Sequence, residues 1–163
     1  MQLNAKETTI TKSLLKIVKF VDGDGIILED IVSKKEFEVR LYGIDAPEIN
    51  YCKKIKKDEI ELQVPAALLI KLGYLSFNFL KDQVNLGDFC TLIQEQNNLV
   101  DKYGRHLGYL ILSDGRVLNE IMVKEGYAKP YNEVFCEKLP MYQQLNLQAK
   151  ISRKGLYFQV DKF

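Results

Sequence analysis

Five short stretches rich in β-forming residues, each bounded by turn residues, constrain the fold of this chain more than any other feature. They are Leu15–Phe20, Gly25–Leu28, Glu36–Tyr42, Asp88–Ile93 and Arg105–Leu112. An Asp-Gly-Asp-Gly turn separates the first two and predicts a hairpin. The third alternates polar and apolar residues, which is typical of a half-buried strand. A small, hairpin-rich sheet usually closes on itself, because closure removes its unpaired edges.

Helical patterns occur at three places between and after these strands. The first begins at Pro65, which suits the first turn of a helix, and carries apolar residues at helical spacing. Those residues are Leu68, Leu72, Leu75 and Phe79. The other two helical segments span residues 117–125 and 140–152, and the charged stretch 50–61 is predicted to be a loop. The order of elements predicts an α+β, mainly β, fold: a five-stranded OB-type barrel with about three helices packed against it.

The length and composition are those of one ordinary globular domain. The chain has 163 residues, of which 47% are hydrophobic and 28% charged. Residues 1–12 are polar and rich in threonine and are predicted to be a disordered or frayed tail, with a single domain over residues 13–163. The net charge of +1 excludes a global electrostatic attraction to nucleic acid, so any recognition of phosphate must come from local patches. We expect a monomer.

Cysteine usage and the N-terminal sequence bear on the compartment. Cys52, Cys90 and Cys136 are an odd number and far apart, which argues against a disulfide scaffold. A zinc site with His106 lacks the usual ligand spacing. The first twenty residues lack the pattern of a signal peptide, and no stretch has the apolar length of a membrane span. The sequence as printed therefore predicts a cytoplasmic protein without a membrane partner; a secreted or periplasmic location would require a leader that has been removed.

Carboxylates and arginines concentrate at the ends of the predicted strands. They are Asp24, Arg40, Asp45, Glu48 and Arg105. Cleavage of a phosphodiester needs cations directed at the phosphate and a base that activates water. Calcium or magnesium prefers oxygen ligands, and arginine donates to two phosphate oxygens at once. Taken singly, the Asp-Gly-Asp and Asp-Lys-Tyr-Gly segments have a simpler interpretation as ordinary β-turns, and Arg40 as a solvated strand residue.

The ordered combination of segments resembles the staphylococcal nuclease (thermonuclease) family. The most specific segment runs from Val39 to Glu48 and reads Val-Arg-Leu-Tyr-Gly-Ile-Asp-Ala-Pro-Glu. The other segments are Val21–Asp24, Asp101–Arg105, Val117–Glu120, Glu125–Lys129 and Gly155–Tyr157. The resemblance extends from about Lys16 to Tyr157, and it implies an OB-type barrel that hydrolyses DNA and RNA with one calcium ion.

The resemblance implies a role for each matching position. Asp24 and Asp45 would bind calcium through their carboxylates, and Ala46 through its backbone carbonyl. Glu48 would be the general base, or would orient the attacking water. Arg40 and Arg105 would bind the phosphate and stabilise the transition state.

The same resemblance implies contacts with the substrate, single-stranded or unpaired DNA and RNA. Tyr103 would lie beside the nucleotide together with Lys102, and Tyr131 is the nearest match to a second tyrosine of the family. Stacking on either ring would tolerate any base. Lys53 and Lys54 belong to a lysine run that could follow the phosphate backbone, although a solvated loop is an equally good interpretation.

One position departs from the family pattern. Threonine usually follows the second aspartate, and this chain has Gly25. The glycine removes a hydroxyl near the metal ligands and is expected to loosen the turn, which could lower metal affinity or rate. Activity is still expected, because the carboxylates and arginines are all present.

Two binding functions compete with the nuclease hypothesis. The first is a catalytically weak or silent nuclease-like barrel that binds nucleic acid or a protein partner; such domains typically lack the acidic and arginine set that this chain retains. The second is a plain OB-type binding module, which should interleave basic and aromatic residues across its central strands. Only Tyr42, Tyr103 and Tyr109 favour that pattern here.

Overall fold

The longest strand, β1 (Thr9–Phe20), pairs with two neighbours in a computed structural model that describes residues 8–163. Its later part pairs antiparallel with β2 (Gly25–Asp30), and its earlier part pairs antiparallel with β5 (Phe89–Glu95). Leu15 and Lys16 pair with both neighbours. The register shifts between Lys12 and Leu15 and again between Ile17 and Lys19. Such irregularities bend a strand, which lets β1 serve both sides of the sheet.

Two further strands close the sheet into a barrel. β3 (Glu36–Leu41) pairs antiparallel with β2 and parallel with β6 (His106–Leu112), which in turn pairs antiparallel with β5. The order is β1-β2-β3-β6-β5, and the barrel is closed. The predicted five-stranded OB-type barrel is therefore confirmed. Apolar residues at alternate positions of the strands form its core, and they include Leu15, Ile17, Ile26, Leu28, Val39, Leu41, Leu92 and Leu110.

A second, two-stranded sheet lies outside the barrel. Its strands are β4 (Ile44–Asp45) and β7 (Lys129–Pro130), which pair antiparallel with Asp45 opposite Lys129. Two residues are too few to show an alternating pattern, so the sequence did not predict these strands. Their pairing fixes the backbone of Asp45 against the segment that leads to Tyr131.

The helices agree with the sequence at three places and differ at one. α2 (Ala66–Gln83), α3 (Leu118–Lys124) and α4 (Leu139–Ile151) lie where helices were predicted, and a 3₁₀ turn follows over Gly155–Phe158. The prediction of a loop over residues 50–61 is wrong, because α1 spans Lys53–Leu62. Ile55 is its only buried residue. A single apolar anchor gives almost no helical periodicity, so the sequence read as a charged loop.

The N-terminal boundary also differs from the prediction. The tail expected over residues 1–12 overlaps β1, since Thr9 to Lys12 pair with Glu95 to Leu92 of β5. The prediction is wrong for those four residues, because backbone pairing with β5 orders a segment whose side chains are mostly polar. Residues 1–7, the rest of that predicted tail, lie outside the described residues.

Asn119 in α3 joins the barrel to the helices through three backbone groups. It is fully buried. Its Oδ1 accepts a hydrogen bond from the Leu110 backbone N–H at 3.0 Å. Its Nδ2 donates to the carbonyls of Tyr42 at 3.0 Å and Gly108 at 3.1 Å. Asn119 therefore holds the end of β3 and the middle of β6 in place beneath the loop that carries Asp45.

Replacement of Asn119 by alanine is expected to lower the free energy of unfolding by about 2–4 kcal/mol. It removes the side-chain partner of the Leu110 N–H and of the Tyr42 carbonyl, and one of the two hydrogen bonds to the Gly108 carbonyl. Urea unfolding of the two proteins measures the difference. Asn78 is exposed within α2, so the Asn78→Ala variant is the matched control and should change stability by less than about 1 kcal/mol. Equal stabilities for wild type and Asn119→Ala would contradict this structural role.

Two further features concern the chain as a whole. All three cysteines are free, and Cys90 and Cys136 are buried. Among the described residues, no single helix has both the length and the hydropathy of a membrane span; α1 and α2 meet those criteria only as a pair, and a bend of 110° separates them.

Candidate active site

A cleft of about 1010 Å³ at one end of the barrel brings most of the predicted site residues together. They are Asp24, Arg40, Asp45, Glu48, Lys54, Lys102, Tyr103, Arg105 and Tyr131. Two predicted site residues do not line the cleft in the described part of the chain, residues 8–163. Ala46 is buried, and Lys53 is exposed to solvent. Segments that are more than fifty residues apart in sequence therefore contribute to one concave surface.

Arg40 links the two predicted metal ligands. It lies near the end of β3, opposite Gly25 of β2. Its Nη1 lies 2.8 Å from Asp24 Oδ2, and its Nη2 lies 3.0 Å from Asp45 Oδ1. Nη1 also donates to the Ile44 carbonyl at 3.0 Å. Both carboxylates are nearly buried, with 6% and 7% of their surface exposed, so the guanidinium provides charge compensation that water cannot.

Asp24 also holds the loop after β4. Its Oδ2 accepts a hydrogen bond from the Ala46 backbone N–H at 2.8 Å. This bond joins Asp24 to the backbone directly after Asp45. The Asp-Gly-Asp turn is therefore linked to the Asp45–Glu48 loop by a buried hydrogen bond.

Lys54 in the first turn of α1 contacts the acidic loop at three oxygens. Its Nζ lies 2.8 Å from Asp45 Oδ1, 3.2 Å from Glu48 Oε1 and 3.4 Å from the Ala46 carbonyl oxygen. Burial opposes its charge, but Asp45 and Asp24 outweigh that effect and raise the pKa of Lys54. The sequence indicated only a phosphate-tracking or solvated role for this residue, because neither α1 nor its docking was foreseen.

Asp22 is an additional acid that the sequence analysis did not assign to the site. It lines the cleft, and its Oδ1 accepts the Asp24 backbone N–H at 3.1 Å. Burial, together with the negative charges of Asp24 and Glu48, raises its pKa to about 7. Four carboxylates thus face Arg40 and Lys54, an excess of negative charge. The position of Asp22 in the Asp-Gly-Asp turn was the sequence signal that could have assigned it to the site.

Arg105 is held by a local loop rather than by the acidic cluster. The Asp101 carboxylate accepts one hydrogen bond from Arg105 Nε at 2.7 Å and another from the Arg105 backbone N–H at 3.0 Å. Although burial acts in the opposite direction, the hydrogen bonds from the Arg105 backbone and side chain lower the pKa of Asp101. The hydrogen bonds found for Arg105 within residues 8–163 use Nε and the backbone, which leaves its two terminal nitrogens available to an anion in the cleft that Arg105 lines.

Two tyrosines flank these arginines. Tyr103 is 73% exposed, and its ring centre lies 5.5 Å from the Arg105 guanidinium carbon and 5.1 Å from Lys102 Nζ. The Tyr131 ring lies 5.8 Å from the Arg40 guanidinium carbon. The Tyr131 backbone N–H donates to the Gly43 carbonyl at 2.9 Å, which fixes the register after Pro130. Each ring therefore stands beside one of the two arginines at the cleft.

Gly25 accepts two hydrogen bonds that close its turn. It begins β2, and its carbonyl accepts the backbone N–H groups of Val21 and Asp22 at 3.1 and 3.3 Å. A Cβ at this position would lie 2.9 Å from Asp22 Oδ1. A larger residue would therefore require the Asp22 side chain to move, whereas glycine lets it approach the Asp24 backbone.

Gly73 lets α2 support the loop of Glu48. A Cβ at this position would lie 2.2 Å from the Glu48 carbonyl oxygen and 2.8 Å from that of Pro47. These are backbone atoms and cannot move aside cheaply. The close approach explains a glycine in the interior of a helix, where it otherwise costs about 1 kcal/mol, and it makes α2 the support of the loop.

The donor atoms of the cluster fit a hard divalent cation. No three His, Cys, Asp or Glu side chains in residues 8–163 form a metal-binding group on their own. The atoms that converge are the carboxylates of Asp24 and Asp45 and the carbonyl of Ala46, and the Lys54 ammonium already bridges the last two. Calcium and magnesium accept such oxygen ligands and complete their coordination with water.

Sequence comparisons identify similar proteins. The family model described as "Staphylococcal nuclease homologue" matches residues 38–159. An uncharacterized protein of Methanocaldococcus jannaschii is 30% identical over 150 residues, which cover 87% of this chain and 70% of that protein. An uncharacterized endonuclease of Escherichia coli O157:H7 is 30% identical over 146 residues, covering 90% and 78% respectively. Endonuclease YhcR of Bacillus subtilis is 31% identical over 146 residues, but the match spans only 11% of that protein.

Proposed function

Because this chain belongs to the staphylococcal nuclease homologue family, we propose that it is a calcium-dependent nuclease that hydrolyses phosphodiester bonds of both DNA and RNA. The observation that carries the proposal is the joining of Asp24 and Asp45 by Arg40, with Glu48 and Arg105 in the same cleft. Relatives named as endonucleases support the same class of reaction.

In this proposal the two arginines have different tasks. No hydrogen bond from the terminal nitrogens of Arg105 is found among residues 8–163, so Arg105 binds the incoming phosphate and donates to the leaving oxygen as negative charge develops there. Both terminal nitrogens of Arg40 are engaged by carboxylates. Arg40 therefore organises the acidic ligands first and reaches the phosphate only as those carboxylates engage another cation.

Glu48 is proposed to accept the proton of the attacking water. Its side chain is one-third exposed and lies at the edge of the buried acids, so it can reach both water and substrate. A bound calcium ion, held by Asp24, Asp45 and the Ala46 carbonyl, would supply positive charge to the phosphate. Glu48 then orients and deprotonates the nucleophile, a type of contribution worth about 10²- to 10⁴-fold in rate.

The proposed substrate is a single-stranded or unpaired segment. Tyr103 is largely exposed beside Arg105 and Lys102, an arrangement that binds a phosphate and stacks an adjacent base. Stacking of this kind contributes about 1–3 kcal/mol per base and tolerates any base. Paired bases in a duplex do not present their faces to such a ring, so strand ends and loops are the preferred sites.

The test is hydrolysis of fluorescently labelled single-stranded DNA and RNA of the same sequence. Cleavage of both is expected with calcium at about millimolar concentration, because a site with only two carboxylate ligands and one carbonyl ligand binds calcium weakly. Chelation should abolish cleavage, and added calcium should restore it. Circular dichroism before and after chelation verifies that the barrel is retained.

Absence of cleavage with calcium, magnesium and manganese, from a sample with the expected circular dichroism, would contradict the proposal. Binding of the same oligonucleotides without cleavage would then favour the silent binding module. Cleavage that persists in chelator would contradict the assignment of a metal.

A further inference from the structure

Lys54 places an ammonium group among the oxygen atoms to which calcium is assigned. The three oxygens that it contacts belong to Asp45, Ala46 and Glu48. Two of these are the proposed metal ligands, and the third is the proposed base. The Lys54 ammonium, with three oxygen partners within 3.4 Å, therefore occupies the position assigned to the metal cation.

The position of Lys54 in α1 indicates that the acidic cluster holds it there. It is the second residue of the helix, where the helix dipole disfavours positive charge, and α1 has no side-chain N-cap. The neighbouring lysines behave differently: Lys56 lies over the ring of Tyr51, and Lys57 pairs with Glu61. Among the described lysines of this run, Lys54 alone is paired with Asp45 and Glu48.

We propose, on the premise of the nuclease function above, that Lys54 is an internal competitor for the divalent cation. The ammonium and the metal need the same oxygens of Asp45 and Ala46, so metal binding requires Lys54 to leave them. Its side chain is one-third exposed, so the displaced ammonium moves to the open side of the cleft.

Displacement of Lys54 changes what the cleft offers to a nucleic acid. While the ammonium is held by Asp45 and Glu48, its charge is neutralised and the base is engaged. Once it is released, Glu48 is free to meet water and the ammonium adds to the positive charge of the cleft. Metal binding and polyanion binding therefore favour each other through this side chain, and the coupling is reciprocal.

Calorimetric titration with calcium alone, without nucleic acid, tests the competition. The Lys54→Met variant keeps the length of the side chain and removes the ammonium. It is expected to bind calcium at least about tenfold more tightly than wild type, because a like charge within a few ångströms of the site is gone. Lys53→Met removes the same charge from the adjacent, exposed position and should change calcium affinity by no more than about twofold, since exposed charges are screened.

Amine acetylation, quantified for each lysine by mass spectrometry, tests the displacement directly. Lys54 of wild type should react slowly without metal and several-fold faster with saturating calcium, while Lys53 reacts equally in both conditions. Equal calcium affinities of wild type and Lys54→Met, or a Lys54 reactivity that calcium does not change, would overturn the inference even if the protein cleaves DNA. A protein that binds calcium in neither form would overturn both this inference and the metal assignment of the proposed function.

Discussion

Replacement of Glu48 by glutamine is expected to lower the turnover number about 10²- to 10⁴-fold, the usual contribution of a general base. Glutamine has nearly the same shape but cannot take up a proton. Glu48 Oε1 has Lys54 Nζ as its hydrogen-bond partner at 3.2 Å, and glutamine can still accept that bond. The loss should therefore appear in kcat, measured with the labelled oligonucleotide under saturating calcium and substrate.

Glu61→Gln is the matched control for this experiment. Glu61 also lines the cleft, but its side chain is 59% exposed and its partner is Lys57 at 3.8 Å. The same loss of charge at that position should leave kcat within about threefold of wild type, because exposed ion pairs contribute little. If Glu48→Gln retained more than a tenth of the wild-type kcat, Glu48 could not be the base.

Arg105→Ala is expected to lower kcat/KM about 10²- to 10³-fold, the cost of removing one preorganised donor to a developing negative charge. The fold should be unaffected, because the contacts of the side chain within the described part of the chain are local: an ion pair with Asp101 and the nearby ring of Tyr103. Thermal unfolding of the variant within a few degrees of wild type would verify this. An Arg105→Lys variant should recover only part of the activity, since lysine lacks the forked donors.

The chain provides a close control for Arg105. Arg116 also follows a turn and donates its Nε to an aspartate, Asp114, at 2.8 Å, compared with 2.7 Å for Arg105 and Asp101. It is not among the residues that line the cleft within the described part of the chain. Arg116→Ala removes the same local interaction, together with two hydrogen bonds to Gln83 at the end of α2, and should leave kcat/KM unchanged. Equal losses in the two variants would mean that Arg105 acts through loop stability.

The barrel could be predicted from the sequence because its signals are local. Alternation along β3 and the turn chemistry between β1 and β2 are read within a few residues. The carboxylates and Arg40 lie at strand ends, but their grouping into one site came from the resemblance of the ordered segments to the family. The mutual contacts of Arg40, Asp24 and Asp45 agree with the grouping that the motif implied.

The remainder depended on contacts between distant segments. α1 is stabilised by docking of Ile55 and by the pairing of Lys54 with acids of another loop, neither of which gives a periodic pattern. β4 and β7 are too short to show a strand signal, and Thr9–Lys12 are ordered by pairing with β5. In each case tertiary contacts override a weak local preference. The assignment of Lys53 and Lys54 to one phosphate-binding run did not anticipate that adjacent lysines would face solvent and acid respectively.

The two segments that carry Glu48 and Lys54 differ in the free energy needed to move them. The backbone of Glu48 rests on a helix of 18 residues, so it can move only if α2 itself shifts. Lys54, by contrast, belongs to the uncapped first turn of a ten-residue helix with one buried anchor. Unwinding that turn would cost little free energy, since terminal turns with few buried contacts open most readily. On the premise of the proposed function, exchange of the cation would then involve the first turn of α1 and leave the backbone of Glu48 in place.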